Sequence, residues 1–344
     1  MRIQDMYLTG LGVHLPDVVS VASAVERGAF PPQEAESTQL TGVAVAGDVP
    51  APEMALAAST EAVKRSGQDA ATFDLLLYAS SWHQGPDGWL PQSYLQRHLV
   101  GGKVPAYEIR QGCNGVFAAL ELASGFLRGI GKASATALVV AADNFGTPLV
   151  NRWQTGAGYL PADGASAVTL STQGGFAELV SLCSVTVAEA EAAHRGDEPL
   201  FPPGATVGRA VDYAARAEAF RRDAGSTALF LQVQQQAVMV ATQALAEAQI
   251  GIAEIAAVAF NNFSREMVEQ RCMRALGLDL SLSTWEFGRA LGHMGASDQL
   301  VALDHLISAG ALGAGDNVLL AGLGPGINVA AAVVRILSTP RWAG

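Results

Sequence analysis

Residues 108–122 read Glu-Ile-Arg-Gln-Gly-Cys-Asn-Gly-Val-Phe-Ala-Ala-Leu-Glu-Leu, with Cys113 at a point suited to nucleophilic chemistry. Residues 104–110 alternate apolar and polar types and predict an extended lead-in. Val116, Phe117, Leu120 and Phe126 then recur near helical spacing. Gly112 and Gly115 bracket a tight strand-to-helix turn. A cysteine at the start of a helix feels the positive end of the backbone dipole, which favours its thiolate. A flanking glycine lets a substrate approach the backbone. On this turn alone a buried structural cysteine stays an open alternative.

The chain repeats this element. Gly-Cys-Asn-Gly at 112–115 has a counterpart, Gly-His-Met-Gly, at 292–295, which sets His293 180 residues after Cys113. The same offset carries Leu120 onto Leu300, Val140 onto Leu320, Ala141 onto Ala321 and residues 75–79 onto 255–259. The register predicts that strand, loop, strand, helix and strand recur, giving two similar α/β halves whose equivalent turns face one another. One turn brings a thiol nucleophile and the other an imidazole base, which is an arrangement for catalysis.

The elements that must position these turns follow from composition and pattern. The 344 residues are 50% hydrophobic and only 15% charged, enough for a large core of closely packed small residues. Strands are predicted over 7–13, 74–81, 135–142, from 163 onward, 318–321 and 328–337. Helices are predicted over 54–66, 91–100 and 229–249. The apolar runs are too short to span a bilayer and suit strands covered on both faces. Residues 1–172 form the first half and 173–344 the second. Residues 173–225 lack an internal copy and read as a pocket-forming insertion.

Several classes are excluded at this level. The net charge of −11 argues against a nucleic-acid partner. Cys113, Cys183 and Cys272 show no paired spacing, and no His/Cys cluster suits a metal, so neither disulfide nor metal is expected. The N-terminus carries no secretory pattern. A cytoplasmic protein without a membrane segment is expected.

Four stretches together carry a resemblance over nearly the whole chain. They are Tyr-Leu-Thr-Gly-Leu-Gly-Val-His-Leu-Pro at 7–16, the Cys113 turn, Ala-Asp-Gly-Ala-Ser-Ala at 162–167 and Leu-Leu-Ala-Gly-Leu-Gly-Pro-Gly at 319–326. The chain resembles thiolase-fold condensing enzymes of the ketoacyl synthase III group. The resemblance implies an α/β fold layered α-β-α-β-α and a homodimer. It also implies acyl transfer from a CoA or acyl-carrier-protein thioester onto the active cysteine, with no permanently bound cofactor.

Two departures redirect the chemistry. Ordinary members hold a histidine in His-Gln-Ala-Asn, where this chain has Asn261-Asn262-Phe263-Ser264. They hold an asparagine in a later Gly-Asn-Thr turn, where this chain has Gly292-His293-Met294. The pattern is similar to a subgroup of secondary-metabolite acyltransferases with a Cys-His-Asp triad. Asp298, five residues after His293, completes that pattern. In this reading Cys113 takes the acyl group, His293 deprotonates an acceptor hydroxyl and Asp298 orients the imidazole. Such a pair works only if His293 precedes the helix, and Asp298 also reads as an ordinary first-turn helix acid.

The remaining candidates are supporting ones. The Cys113 and Gly324 N–H groups suit an oxyanion, whereas Pro325 has no N–H. Asn261 suits an acyl carbonyl or the acceptor, or simply ends a strand. His194 lies in the insertion, where it would line the pocket or an exposed loop. Arg152 and Trp153 lie where the resemblance places CoA contacts. Arg216, Arg221 and Arg222 read as a solvated helix face. The predicted activity is transfer of malonyl or another short acyl group to a hydroxyl of a natural-product acceptor such as a glycosylated polyketide. A decarboxylative ketoacyl synthase III-type condensation on a starter unit is the alternative.

Overall fold

The computed structural model describes residues 1–156, 158–222 and 225–343. Nine strands form its main sheet. They are β1 (Tyr7–His14), β2 (Leu75–Ala79), β3 (Ala106–Ile109), β4 (Thr136–Asp143), β5 (Gly164–Ser171), β6 (Ala177–Thr186), β7 (Ile255–Ala259), β8 (Asn317–Gly324) and β9 (Asn328–Ile336). Their spatial order is β3-β2-β4-β5-β1-β6-β9-β8-β7. Within this sheet the strands of the two halves join where Tyr7 and Leu8 pair with Glu178 and Ala177. Away from that corner the sheets part and enclose a helical layer.

That inner layer holds α2 (Gly115–Gly129) and α5 (Asp298–Ser308). Phe117, Leu120 and Leu127 from α2 share one core with Leu300 and Leu303 from α5 and with strand residues of both halves. α1 (Ala51–Ser66) covers the outer face of the first half, and α4 (Ser226–Ala248) that of the second. The order of layers is therefore α-β-α-β-α. α3 (Tyr213–Arg221) lies in the segment between β6 and α4. Strands such as Leu75–Ala79 and Gly164–Ser171 are buried at every position because helices cover both faces.

The structure corrects two expectations. Residues 173–225 are not wholly an insertion, since Ala177–Thr186 is a ten-residue strand pairing with β1 and β9. The non-repeating segment begins only after it. The extended lead-in to the Cys113 turn also does not recur. Its second copy collapses into the short helix Trp285–Gly288 with Trp285 buried, leaving a single bridge between Val258 and Ser283.

The Gly10 and Gly12 pair of the first motif has a packing cause. A Cβ on Gly12 would stand 2.2 Å from the Ala58 carbonyl oxygen and 2.7 Å from the Ala62 nitrogen. These absences let α1 lie directly on β1. Gly12→Ala is expected to destabilise the protein by about 1–3 kcal/mol in urea unfolding. Gly125→Ala, whose Cβ would meet nothing within 4 Å, is the control and should cost nothing. Equal stability of the two variants would show that the α1–β1 contact yields freely.

Candidate active site

Cys113 lies in a 3-10 turn, Gly112–Asn114, which runs directly into α2. Gly112 has φ 55°, and a Cβ there would strike Pro325 Cδ at 2.5 Å, so both conformation and space require glycine. Asn114 ties the turn to the β8–β9 hairpin. Its Nδ2 donates to Asn328 Oδ1 (2.8 Å) and to the Asn328 carbonyl (3.0 Å). Gly324 ends β8 opposite Asn328 and packs on the same turn, where a Cβ would lie 3.2 Å from the Asn114 nitrogen.

His293 approaches from the second half. Its N–H donates to the Leu160 carbonyl (2.9 Å), and its carbonyl accepts from the Ala162 N–H (2.8 Å). Gly292 and Gly295 adopt positive φ on either side. A 3-10 turn, Gly295–Ser297, follows before α5 starts at Asp298. His293 thus precedes the helix, as the pairing with Asp298 requires. Gly115 and Ala296 pack against each other, so the two turns are in direct contact.

The three candidate side chains form a line. His293 Nε2 lies 2.9 Å from Cys113 Sγ, and His293 Nδ1 donates to Asp298 Oδ2 at 2.5 Å. Asp298 is 0% exposed. It also accepts from the Met294 N–H (2.8 Å), the Asn262 N–H (2.9 Å) and Asn262 Nδ2 (3.3 Å). Asn262 needs Gly288 beside it, since a Cβ there would fall 2.1 Å from Asn262 Oδ1. Tyr159 and Phe263 stand edge-on to the imidazole with centroids 5.1 and 5.0 Å away. Burial alone would lower the His293 pKa. The Asp298 carboxylate and then Cys113 more than offset it and raise the pKa well above the ordinary value.

The other predicted residues divide. Asn261 is buried, and its Oδ1 accepts from the Leu323 N–H (2.8 Å), which fixes the amide and leaves Nδ2 with no partner among the described residues. Arg152 does not reach out for a phosphate. It is buried, with Nη2 on Asp163 (3.0 and 3.1 Å) and Nη1 on the Pro161 carbonyl (3.1 Å). It braces the 160–162 backbone that carries His293, because a buried Asp163 demands a cation. Trp153 packs on Phe30 at 6.1 Å in a small apolar cluster. His194 lies in the short helix Ala192–Arg195, half-buried, and burial followed by the nearby Arg216 charge lowers its pKa. Arg221 and Arg222 pair with Glu218 at the surface.

Sequence reasoning missed Asn262, Tyr159 and Asp143. Asn262 was visible only as half of an Asn-Asn pair. Asp143 ends β4, fully buried, and accepts from the Ser81 and Trp82 N–H groups. Burial pushes its pKa up to about 7 against those hydrogen bonds. Gly295 lacks the Cβ that would stand 2.2 Å from its Oδ2. Of the three thiols, Cys183 and Cys272 are buried, and burial pushes Cys272 up to about 12. An apolar cavity of about 660 Å³ opens between α4, β8 and β9, lined by Phe230, Val233, Ala241, Phe260, Leu323 and Ala331 among others.

Similarities to known proteins fall in one family. Residues 107–185 match the family model of 3-oxoacyl-[acyl-carrier-protein] synthase III, and residues 245–336 match its C-terminal model. A solved structure named ChlB3, described as an acyltransferase, is 55% identical, with 98% of this chain and 99% of that chain covered and a TM-score of 0.94. The 3-oxoacyl-[acyl-carrier-protein] synthase III of Aquifex aeolicus has a TM-score of 0.78 at 20% identity, over 96% of this chain and 99% of that one, and shares the fold. A β-ketoacyl-[acyl-carrier-protein] synthase III of Lactobacillus delbrueckii subsp. bulgaricus is 28% identical over 79% of this chain and 80% of its own length. The chain belongs to the ketoacyl synthase III-like, thiolase-fold acyltransferases, and it is an acyl-transferring or condensing enzyme.

The raised His293 pKa has a signed consequence. Its stabilising contribution is full below about pH 6.5 and is lost as pH rises through the folded value. In Asp298→Asn the largest raising influence is gone and burial dominates. The His293 ring should then titrate well below its wild-type position in an NMR pH series. An unchanged midpoint would remove Asp298 as the cause.

Proposed function

We propose that this enzyme moves an acyl group, such as malonyl or another short acyl, from a CoA or carrier-protein thioester through Cys113 to a hydroxyl of a natural-product acceptor. A glycosylated polyketide is an acceptor of this kind. The observation that carries the reading is His293 Nε2 on Cys113 Sγ with Asp298 buried behind it. The 55% identity to an acyltransferase supports the same class.

The steps follow from the contacts. Cys113, its proton already held on His293 Nε2, attacks the thioester carbonyl. The Cys113 and Gly324 N–H groups, which flank one turn, are the proposed donors to the oxyanion. Each such donor is typically worth about 3–4 kcal/mol. The tetrahedral intermediate expels the donor thiol, which takes the proton from His293. The acceptor hydroxyl then gives its proton to the now neutral Nε2 and attacks the acyl-enzyme. Cys113 Sγ departs and recovers that proton. An alcohol is a poor nucleophile near neutral pH, so the second half-reaction depends on the base more than the first.

The alternative, a decarboxylative condensation, differs in its products. Incubation with acetyl-CoA and malonyl-CoA, followed by intact mass, should show an adduct on Cys113, with a malonyl adduct retaining its carboxylate. Carbon dioxide release coupled to a longer chain would overturn the hydroxyl-transfer reading. His293→Ala should slow transfer to the acceptor by about 100-fold or more and slow loading less. Equal loss of both steps would remove the role given to His293.

A further inference from the structure

The segment after β6 folds back over the site through α3. Asp212 caps α3 by accepting from the Ala215 N–H (2.8 Å). Tyr213, the first residue of α3, packs on Tyr159 with centroids 6.1 Å apart, and Tyr159 stands edge-on to His293. Tyr213 is therefore one ring removed from the imidazole. Its orientation is braced. Arg216, one turn on, lies 5.8 Å from the Tyr213 ring centroid. Arg216 Nε donates to Glu198 Oε1 (2.6 Å) and its Nη1 to the His194 carbonyl (3.1 Å). Arg209 Nη1 holds the other Glu198 oxygen at 3.2 Å.

Burial, then the Cys113 charge, raises the Tyr213 pKa above the ordinary phenol value. Tyr159 is raised further, by burial first. Both are neutral phenols at neutral pH. The cation beside them is paired with Glu198, which also holds Arg209.

We infer that Tyr213 is a specificity-determining contact for the acceptor, its phenol hydrogen-bonding a neutral, hydroxyl-rich molecule as that molecule presents an oxygen to His293. The inference rests on the hydroxyl-transfer reading. The acceptor oxygen must reach Nε2, so the acceptor's remaining bulk passes the rings that flank the imidazole. Tyr159 packs against that imidazole, and Tyr213 packs on Tyr159 in turn. Two neutral phenols suit the hydroxyls of a polyol.

The test separates the two half-reactions. Wild type and Tyr213→Phe are loaded with acetyl-CoA, and the acyl-enzyme is mixed with methyl α-L-rhamnopyranoside, with adduct loss and acetylated glycoside followed by mass. Tyr213→Phe keeps the ring and removes only the hydroxyl that accepts from Tyr159, so thermal stability should fall slightly while loading matches wild type. Its KM for the glycoside should rise about tenfold, the scale of one lost hydrogen bond. Glu198→Gln, which loosens the Arg216 brace, should shift KM in the same direction by less. Unchanged transfer to the glycoside in Tyr213→Phe, or loading and transfer slowed together, would overturn the contact and leave hydroxyl transfer standing. A wild-type acetyl-enzyme that gives its acyl group to no glycoside would overturn both.

Discussion

The site depends on one carboxyl group that has no access to water. A carboxylate in an apolar interior is costly unless its oxygens are filled. Asp298 meets that condition with the imidazole of His293, two backbone N–H groups and the Asn262 amide. Each partner fixes a piece of chain. The Met294 N–H sets the turn before α5, Asn262 sets the end of β7, and His293 is left with its Nε2 toward Cys113. Moving Asp298 by one residue would turn it away from the histidine, since five residues span more than one helical turn. The 3-10 turn between them takes up the difference.

Around that group the fold uses one device twice. In each half a glycine-flanked turn ends against the start of an inner helix, and the two turns touch at Gly115 and Ala296. The thiol comes on one turn and the imidazole on the other, so neither half holds the pair alone. The supporting polar groups also cross between elements. Asn114 binds the β8–β9 hairpin, and Arg152 with Asp163 holds the strip on which the His293 backbone rests. A buried ion pair contributes little net stability beside an apolar replacement. Its value here is that it fixes the 160–162 backbone.

The sequence made legible what repeats in one register. Cys113, His293, both inner helices and strands β2, β4, β7 and β8 share the 180-residue offset. That register stops where loops differ in length. Residues 144–163 connect β4 to β5, whereas 325–327 alone connect β8 to β9. The register stops on the N-terminal side as well, where 15–74 connect β1 to β2 but 187–254 connect β6 to β7. The offset therefore does not map β1 onto β6, and Ala177–Thr186 has no copy in that register. Arg152 illustrates the other limit. An Arg-Trp pair near a phosphate site and an arginine spent on a buried aspartate look alike until Asp163 is placed beside it. Tyr159 and Tyr213 carry no motif, because a ring against a ring has no fixed spacing along the chain.

The exchange of histidine and asparagine between positions 261 and 293 has a hydrogen-bond logic of its own. At 261 the amide oxygen is taken by the Leu323 N–H, so the group has only a donor left to offer. An amide so held cannot take a proton. At 293 the Nδ1 proton is directed at Asp298, so Nε2 is the atom that gains or loses one. The raised pKa makes the resting ring a proton carrier, which suits the departure of a thiol from the first intermediate. In the proposed reaction that proton leaves with the thiol, and the neutral ring then faces the acyl-enzyme as a base with Asp298 placed to stabilise its recharging. A carbanion produced by decarboxylation would need two donors and no base. An arriving alcohol in the proposed reaction needs a base for its proton, which His293 can be and Asn261 cannot.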